Sequence, residues 1–254
     1  MKALEGQVAV VTGGAGGMGE AICLGLAQAG YAVVVGYNSS QAAALALLDR
    51  LAPAAWPHAA LRAPVTDSAG LAVLAAEVAR RYGRCDLLVN CAGTTRFVAH
   101  PDLDGLDDDL IDQILTTNVR GPLAAVRAFK ALLAAPRSDG GSGLVVNISS
   151  IAAVTAMGSN IMYCASKAAL DNMTKSLARA LAPAIRVLSV SPGLADTEFV
   201  KRMDSVWRDE QASRTPLKRL AQPAEVAAAV LVAATHLRFT TGAVIPVDGG
   251  RALA

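Results

Sequence analysis

The feature that most constrains this chain is its rhythm. Short runs rich in β-branched residues alternate with longer stretches of helical periodicity from one end to the other. Residues 7–12 read as a first strand, 17–29 as a helix ending at Gly30, and 31–36 as a second strand. A helix over 41–51 stops before Pro53, and 58–63 is a weaker third strand. A helix over 68–82 and a fourth strand over 86–90 complete the first half. In the second half a long helix is expected from Asp107 to about Ala135, bent near Gly121-Pro122, followed by a turn over 138–143. Strands at 144–149, 185–190 and 243–247 alternate with helices at 161–181 and 224–234, with a less regular segment over 191–216. Such alternation, with strands apolar along their whole length, predicts an α/β fold: one doubly wound parallel sheet of about seven strands, helices on both faces, in a single domain over residues 1–254. Ligands of such sheets bind outside the carboxyl ends of the strands.

Composition agrees. Hydrophobic residues are 53% of the chain and charged residues 17%, ample for a sheet covered on both faces. The formal net charge is +2 with no basic run, which argues against nucleic acid as a partner. Residues 21–48 carry no charge, but Gln28, Gly30, Asn38, Ser39, Ser40 and Gln41 break the stretch into helix, strand and helix, so no membrane span is expected. The N-terminus lacks the apolar core of a signal peptide. Cys23, Cys85, Cys91 and Cys164, and His58, His100 and His236, show no metal-ligand spacing. Reduced thiols in a cytosol are the expectation, and no metal.

Two motifs fall just after strands. Thr12-Gly13-Gly14-Ala15-Gly16-Gly17-Met18-Gly19 follows the first strand and opens the first helix. A pyrophosphate needs a tight turn, close backbone approach and the free N–H groups of a helix N-terminus, and glycine permits the first two. Further on, Tyr163 and Lys167 stand four apart on a helix, so they share a face. An ammonium beside a phenol favours the phenolate and makes the hydroxyl a proton donor or acceptor nearer neutral pH. Ser150 ends the preceding strand, at the edge where ligands bind, with a hydroxyl able to polarise a carbonyl oxygen.

Here the sequence resembles the short-chain dehydrogenase/reductase family almost end to end, in particular its 3-oxoacyl-carrier-protein reductase and glucose dehydrogenase-like members. Thr12-Gly13 through Gly19 resembles the family's cofactor loop, Asn90-Cys91-Ala92-Gly93 its Asn-Asn-Ala-Gly segment, and Asn118 its helix asparagine. Ser150, Tyr163 and Lys167 match its serine, tyrosine and lysine. Pro192-Gly193 with Thr197 resembles the segment that holds the nicotinamide carboxamide, and Val247-Asp248-Gly249-Gly250 its closing strand. The resemblance implies an oxidoreductase moving a hydride between NADP(H) or NAD(H) and an alcohol or ketone. Tyr163 would be the general acid/base, Lys167 would tune it and bind the nicotinamide ribose, Ser150 would polarise the carbonyl, and Asn118 would hold a water of a proton relay. Cofactor contacts would come from Gly13, Ala15, Gly16, Gly17, Met18, Gly19, Tyr37, Asn38, Ser39, Val65, Asn90, Ala92, Gly93, Tyr163, Lys167, Pro192, Gly193, Ala195 and Thr197. The alternative is a catalytically silent cofactor-binding sensor or scaffold of the same fold.

Two positions depart from the family's pattern. Cys91 replaces its second asparagine, and Pro64 stands where an aspartate usually contacts adenine, leaving the Val65 backbone for that base. After the second strand, Gly36-Tyr37-Asn38-Ser39-Ser40 contains no acid to repel a 2′-phosphate, and its side chains can donate to one. NADP(H) is therefore favoured over NAD(H), unless Asn38 and the serines merely cap the next helix. By the resemblance, residues 194–216, mixing Phe199, Val200, Met203, Val206 and Trp207 with charged residues, should form an amphipathic substrate lid; the alternative is that these apolar residues pack only against the protein. The resemblance implies a homo-oligomer, a tetramer or dimer, in which alanine-rich helices would suit close contacts; packing of those helices against the sheet is the alternative. The acidic run Asp102, Asp104, Asp107, Asp108 and Asp109 reads as helix N-terminal charge and solvation, with a cation site as the alternative. Cys164 reads as buried, with an oxidation-sensitive switch as the alternative.

Overall fold

The computed structural model describes residues 6–137 and 140–253. Residues 1–5, Ser138, Asp139, Ala254 and the side chain of Phe199 lie outside that description, so the signal-peptide reading, part of the expected turn and one expected lid residue have no structural counterpart here.

The first half runs β1 (Val8–Thr12), α1 (Gly17–Gln28), β2 (Ala32–Tyr37), α2 (Gln41–Leu48), β3 (Ala59–Arg62), α3 (Ser68–Tyr82) and β4 (Leu87–Asn90). Next come α4 (Asp108–Leu115), a π-helical segment (Thr116–Arg120) and α5 (Gly121–Leu133), then β5 (Gly143–Ile148), α6 (Ala152–Thr155) and α7 (Ile161–Leu181). The chain closes with β6 (Ile185–Pro192), α8 (Glu198–Lys201), α9 (Ser205–Arg214), α10 (Pro223–Thr235), β7 (Val244–Val247) and a 3₁₀ turn (Arg251–Leu253). Most expected boundaries move by a residue or two, and the helix after β2 ends three residues early. The bend expected at Gly121-Pro122 lies just upstream, as the π-helical segment. Gly121 and Pro122 themselves open α5, where proline's missing N–H costs little.

All seven strands join one parallel sheet in the order β3-β2-β1-β4-β5-β6-β7. One face packs Ile22, Leu26, Val33, Leu188 and Val230 among others, between the sheet and α1 and α10. The other packs Leu71, Val78, Phe129, Leu133 and Val145 against α3 and α5. Because both faces are covered, β1 and β4 are buried at every position, which is why their sequences are apolar without alternation. Helix ends follow local chemistry. Asp67 caps α3 by accepting from Ala69 N at 2.9 Å, and Gly83 ends it in the left-handed conformation at φ 68°. The strand order reverses between β1 and β4, which fixes where a crevice must open. No helix of the described residues is long and apolar enough to cross a membrane.

Candidate active site

A cavity of about 880 Å³ opens at that crevice. Its floor is the glycine loop, and its walls include Tyr37, Asn38, Ser39, Val65, Ala92 and Gly93. The loop is compact for a steric reason. Gly13 has φ 66°, and a Cβ there would lie 2.9 Å from Ala92 Cα; one on Gly19 would collide with the Gly13 carbonyl. Thr12 Oγ1 ties the two loops together by accepting from Cys91 N at 3.1 Å and Ala92 N at 3.2 Å. The space left above the N-terminus of α1 is a cradle that a Cβ would fill, and it fits a pyrophosphate. Asn90 does not line it. It lies beneath, donating to Asn147 Oδ1 at 2.9 Å, and Asn147 in turn donates to Thr174 Oγ1 at 2.8 Å.

At the end of β2 the side chains of Asn38, Ser39 and Ser40 stay open. Ser40 occupies the N-cap position of α2 but makes no side-chain cap bond, so helix capping does not consume this trio as the alternative reading required. Across the cavity Pro64 is buried, close against Gly70 of α3, and offers no polar atom from its side chain.

The side chains expected to handle protons, Ser150, Tyr163 and Lys167, come together at the carboxyl edge of β5. Asn160 starts α7 by accepting from Tyr163 N at 2.7 Å, while its Nδ2 donates to the Arg96 carbonyl at 2.7 Å. This fixes the first turn, which carries Tyr163. Burial holds the Tyr163 phenol above its ordinary value, while the neighbouring Ser150 hydroxyl opposes this by favouring the ionised form. Lys167 is 6% exposed; its Nζ donates to the Ile148 carbonyl at 2.8 Å and lies 5.7 Å from the Tyr163 ring centre. The ammonium thus faces the ring, and the group acting on the phenol oxygen is Ser150. Burial pulls Lys167 down to about 8, opposed by Cys91 and Asp171. Burial pushes Cys91 up to about 11, opposed by Lys167.

Asn118, 1% exposed, sits in the π-helical segment. Its Oδ1 accepts from Thr94 N at 2.8 Å, and its Nδ2 donates to the Thr94 carbonyl at 3.0 Å and to Ser166 Oγ at 3.2 Å. Its amide therefore clamps the loop after Gly93 to α7.

Pro192, Gly193, Ala195 and Thr197 follow the carboxyl end of β6 to the same edge. Gly193 N donates to the Val247 carbonyl at 3.0 Å, Ala195 bridges Ala221, and Thr197 stands opposite Gly17, whose Cβ would lie 3.3 Å from that of Thr197. The expected single amphipathic lid helix is instead two short helices, α8 and α9, separated around Met203. Asp204 caps α9, which explains the break. No residue of α9 is buried, and Val206 is 74% exposed. Val200 of α8 is buried. The acidic run behaves as its position suggests: Asp107 caps α4 through Leu110 N at 2.8 Å, with Asp108 and Asp109 in the first turn. Cys164 is buried.

Sequence reasoning missed Asn160, Asn147, Ser166 and Asp171. Asn160 carried a visible signal, an asparagine immediately before a periodic run. The other three are buried polar residues whose partners lie on other elements, and nothing local announces them.

Comparison with known proteins agrees with this geometry. The enoyl-(acyl carrier protein) reductase family matches residues 13–252. The chain is 37% identical over 98% of its length to the cis-4-hydroxycyclohexanecarboxylate dehydrogenase of Sinomonas cyclohexanicum, and covers 98% of that protein. It is 33% identical over 97% of its length to the 3-oxoacyl-[acyl-carrier-protein] reductase of Thermotoga maritima, 98% of which it covers. A solved gluconate 5-dehydrogenase from Burkholderia cenocepacia, in complex with NADP and tartrate, superposes with a TM-score of 0.86 at 27% identity, covering 99% of this chain and 97% of that one.

Proposed function

This chain belongs to the short-chain dehydrogenase/reductase family and is an NAD(P)-dependent oxidoreductase, and from that premise we propose that Tyr163, Ser150 and Lys167 carry a hydride-transfer reaction between NADP(H) and an alcohol or ketone. The observation that carries this reading is the convergence of Ser150 on the Tyr163 phenol, with Lys167 buried behind it, at the edge where the glycine-loop cavity opens. When bound, the dinucleotide supplies the hydride donor or acceptor. Tyr163 gives a proton to the carbonyl oxygen in reduction and takes one from the alcohol in oxidation. Ser150 holds that oxygen. Lys167 keeps a positive charge near the phenol and would hold the nicotinamide ribose hydroxyls of a bound cofactor. Asn118 keeps the 94 loop in register with α7 and stands where a proton relay leaves Lys167.

The open Asn38–Ser40 trio and the absence of an acid at the end of β2 support NADP(H) over NAD(H). A homo-oligomer in a cytosol fits the reading. Its test is Tyr163→Phe. Turnover with a carbonyl substrate found by screening should fall by about a thousandfold, while NADPH titrated by fluorescence still binds, and more tightly than NADH. Full turnover in the variant would refute the role of Tyr163; a preference for NADH would refute the choice of NADP(H) and leave the chemistry standing.

A further inference from the structure

Behind Tyr163 and Lys167 lies a buried polar layer. On the face of the sheet beneath α7, Val145 and Val187 give way toward the carboxyl edge to Asn147, Ser149 and Ser189, with Asn147 opposite Ser189 across β5 and β6. Helix α7 is tied to this layer at two points. Thr174 Oγ1 meets Asn147 Nδ2 and Ser189 Oγ, each at 2.8 Å, and Ser149 Oγ reaches the Lys167 carbonyl at 3.5 Å. Asp171 stands between those ties, one helical turn after Lys167 and two after Tyr163 on the same face. It is 8% exposed, and its Oδ1 is sealed from solvent with no hydrogen-bond partner among the described residues. A buried carboxylate oxygen left in that state is costly, so its charge calls for a reason.

Lys167 supplies one. Facing it are the Ile148 carbonyl from β5, Tyr163 and Asp171 from its own helix, and Cys91 from the loop after β4. Burial would strip the proton from this lysine, and a neighbouring negative charge opposes that. Tyr163 is held above its ordinary value, and Cys91, pushed up to about 11, is a neutral thiol where Lys167 titrates. Asp171 is the remaining acid. Burial raises its carboxyl, while the neighbouring Ser149 and Ser189 hydroxyls, with Lys167 and Lys175, favour its ionised form. We infer that Asp171 is a positioning residue that acts through Lys167, its buried carboxylate keeping the ammonium protonated behind Tyr163. Among the described residues no salt bridge joins the two, so the carboxylate acts across the low-dielectric interior rather than by contact. What this does for turnover rests on the role given to Lys167 above.

The experiment reads the Lys167 charge directly, on the protein without added cofactor. Protein labelled at the lysine ε-carbon is titrated by NMR, and the Lys167 signal is identified by its loss in Lys167→Met. Wild type should titrate at about pH 8. Asp171→Asn keeps the shape and removes the charge, and should lower the midpoint by about one pH unit. Asp171→Glu should return part of that shift, and Cys91→Ser should leave the midpoint in place. Melting curves check that the variants fold, and Asp171→Ser serves as a second neutral variant. In turnover, the alkaline limb of the pH profile should move down with the midpoint in Asp171→Asn; a merely structural role would lower turnover alike at every pH. An unmoved midpoint in both neutral variants, or a fall of the same size in Cys91→Ser, would overturn the assignment. A lowered midpoint with an unmoved turnover profile would uphold it and refute instead the role of Lys167 in the reaction.

Discussion

The two edges of the sheet each bury a charge, and they treat it in opposite ways. At the amino edge Asp86, 4% exposed, is surrounded by partners: Arg84 Nη2 at 2.6 Å, Arg137, and the backbone N–H of Val8 at 2.7 Å. At the carboxyl edge Lys167 has the Ile148 carbonyl as its partner and, among the described residues, no salt bridge. Burial with full compensation makes a structural tie between β1, β4 and the segment after α5; a buried charge with little compensation is one whose ionisation is easily moved. The amino edge also opens a hollow, of about 920 Å³, lined by Tyr31, Asp86, Arg137 and Arg186. Cavity size alone would not distinguish the edges; the way each holds its charge does.

Substitutions can break this contrast. The largest expected effect is that of Tyr163→Phe, whose thousandfold loss of turnover should leave the melting temperature within a few degrees of wild type. Asp86→Ala should do the reverse, costing about 3 kcal/mol in urea unfolding because Arg137 is left buried without its carboxylate, while NADPH affinity is unchanged. A large loss of NADPH affinity there would mean that the edges are coupled.

Lys167→Met sharpens the comparison through pH. Folding lowers the Lys167 pKa from 10.5 to about 8, so between those values the unfolded chain holds a proton that the folded chain has released. Wild-type stability should therefore rise with pH in that window relative to the variant, by at most about 1.4 kcal/mol per unit, and below about 8 the burial cost stays constant. Unfolding curves for both proteins at pH 7, 8 and 9 read it directly, and parallel pH dependence would exclude a depressed Lys167. The smallest effect is that of Asn160→Ala, about 1 kcal/mol of stability from the lost cap of α7, with a few-fold fall in turnover as the first turn loosens around Tyr163.

Much of this was legible in the chain. The glycine loop declared itself because a phosphate cradle needs residues without Cβ next to a strand end, and Tyr163 and Lys167 did so because helical spacing puts them on one face. The acidic run before α4 was read as capping, and Asp107 caps. The break in the 194–216 segment was not legible because mixed apolar and charged residues satisfy a helical pattern whether or not a helix breaks, and the Asp204 cap decided for two pieces. The Asn90–Asn147–Thr174 chain was invisible because its members are 57 and 27 residues apart.

The sequence by itself determined the layer order and named the candidate proton-handling residues, since both rest on local periodicity and on functional groups at strand ends. Only the tertiary structure decided what surrounds those groups. It aimed Lys167 at the Ile148 carbonyl and the Tyr163 ring, and brought Ser150 beside the phenol. The environment of a charge depends on burial and on neighbours distant in sequence, and those exist only once the chain has closed.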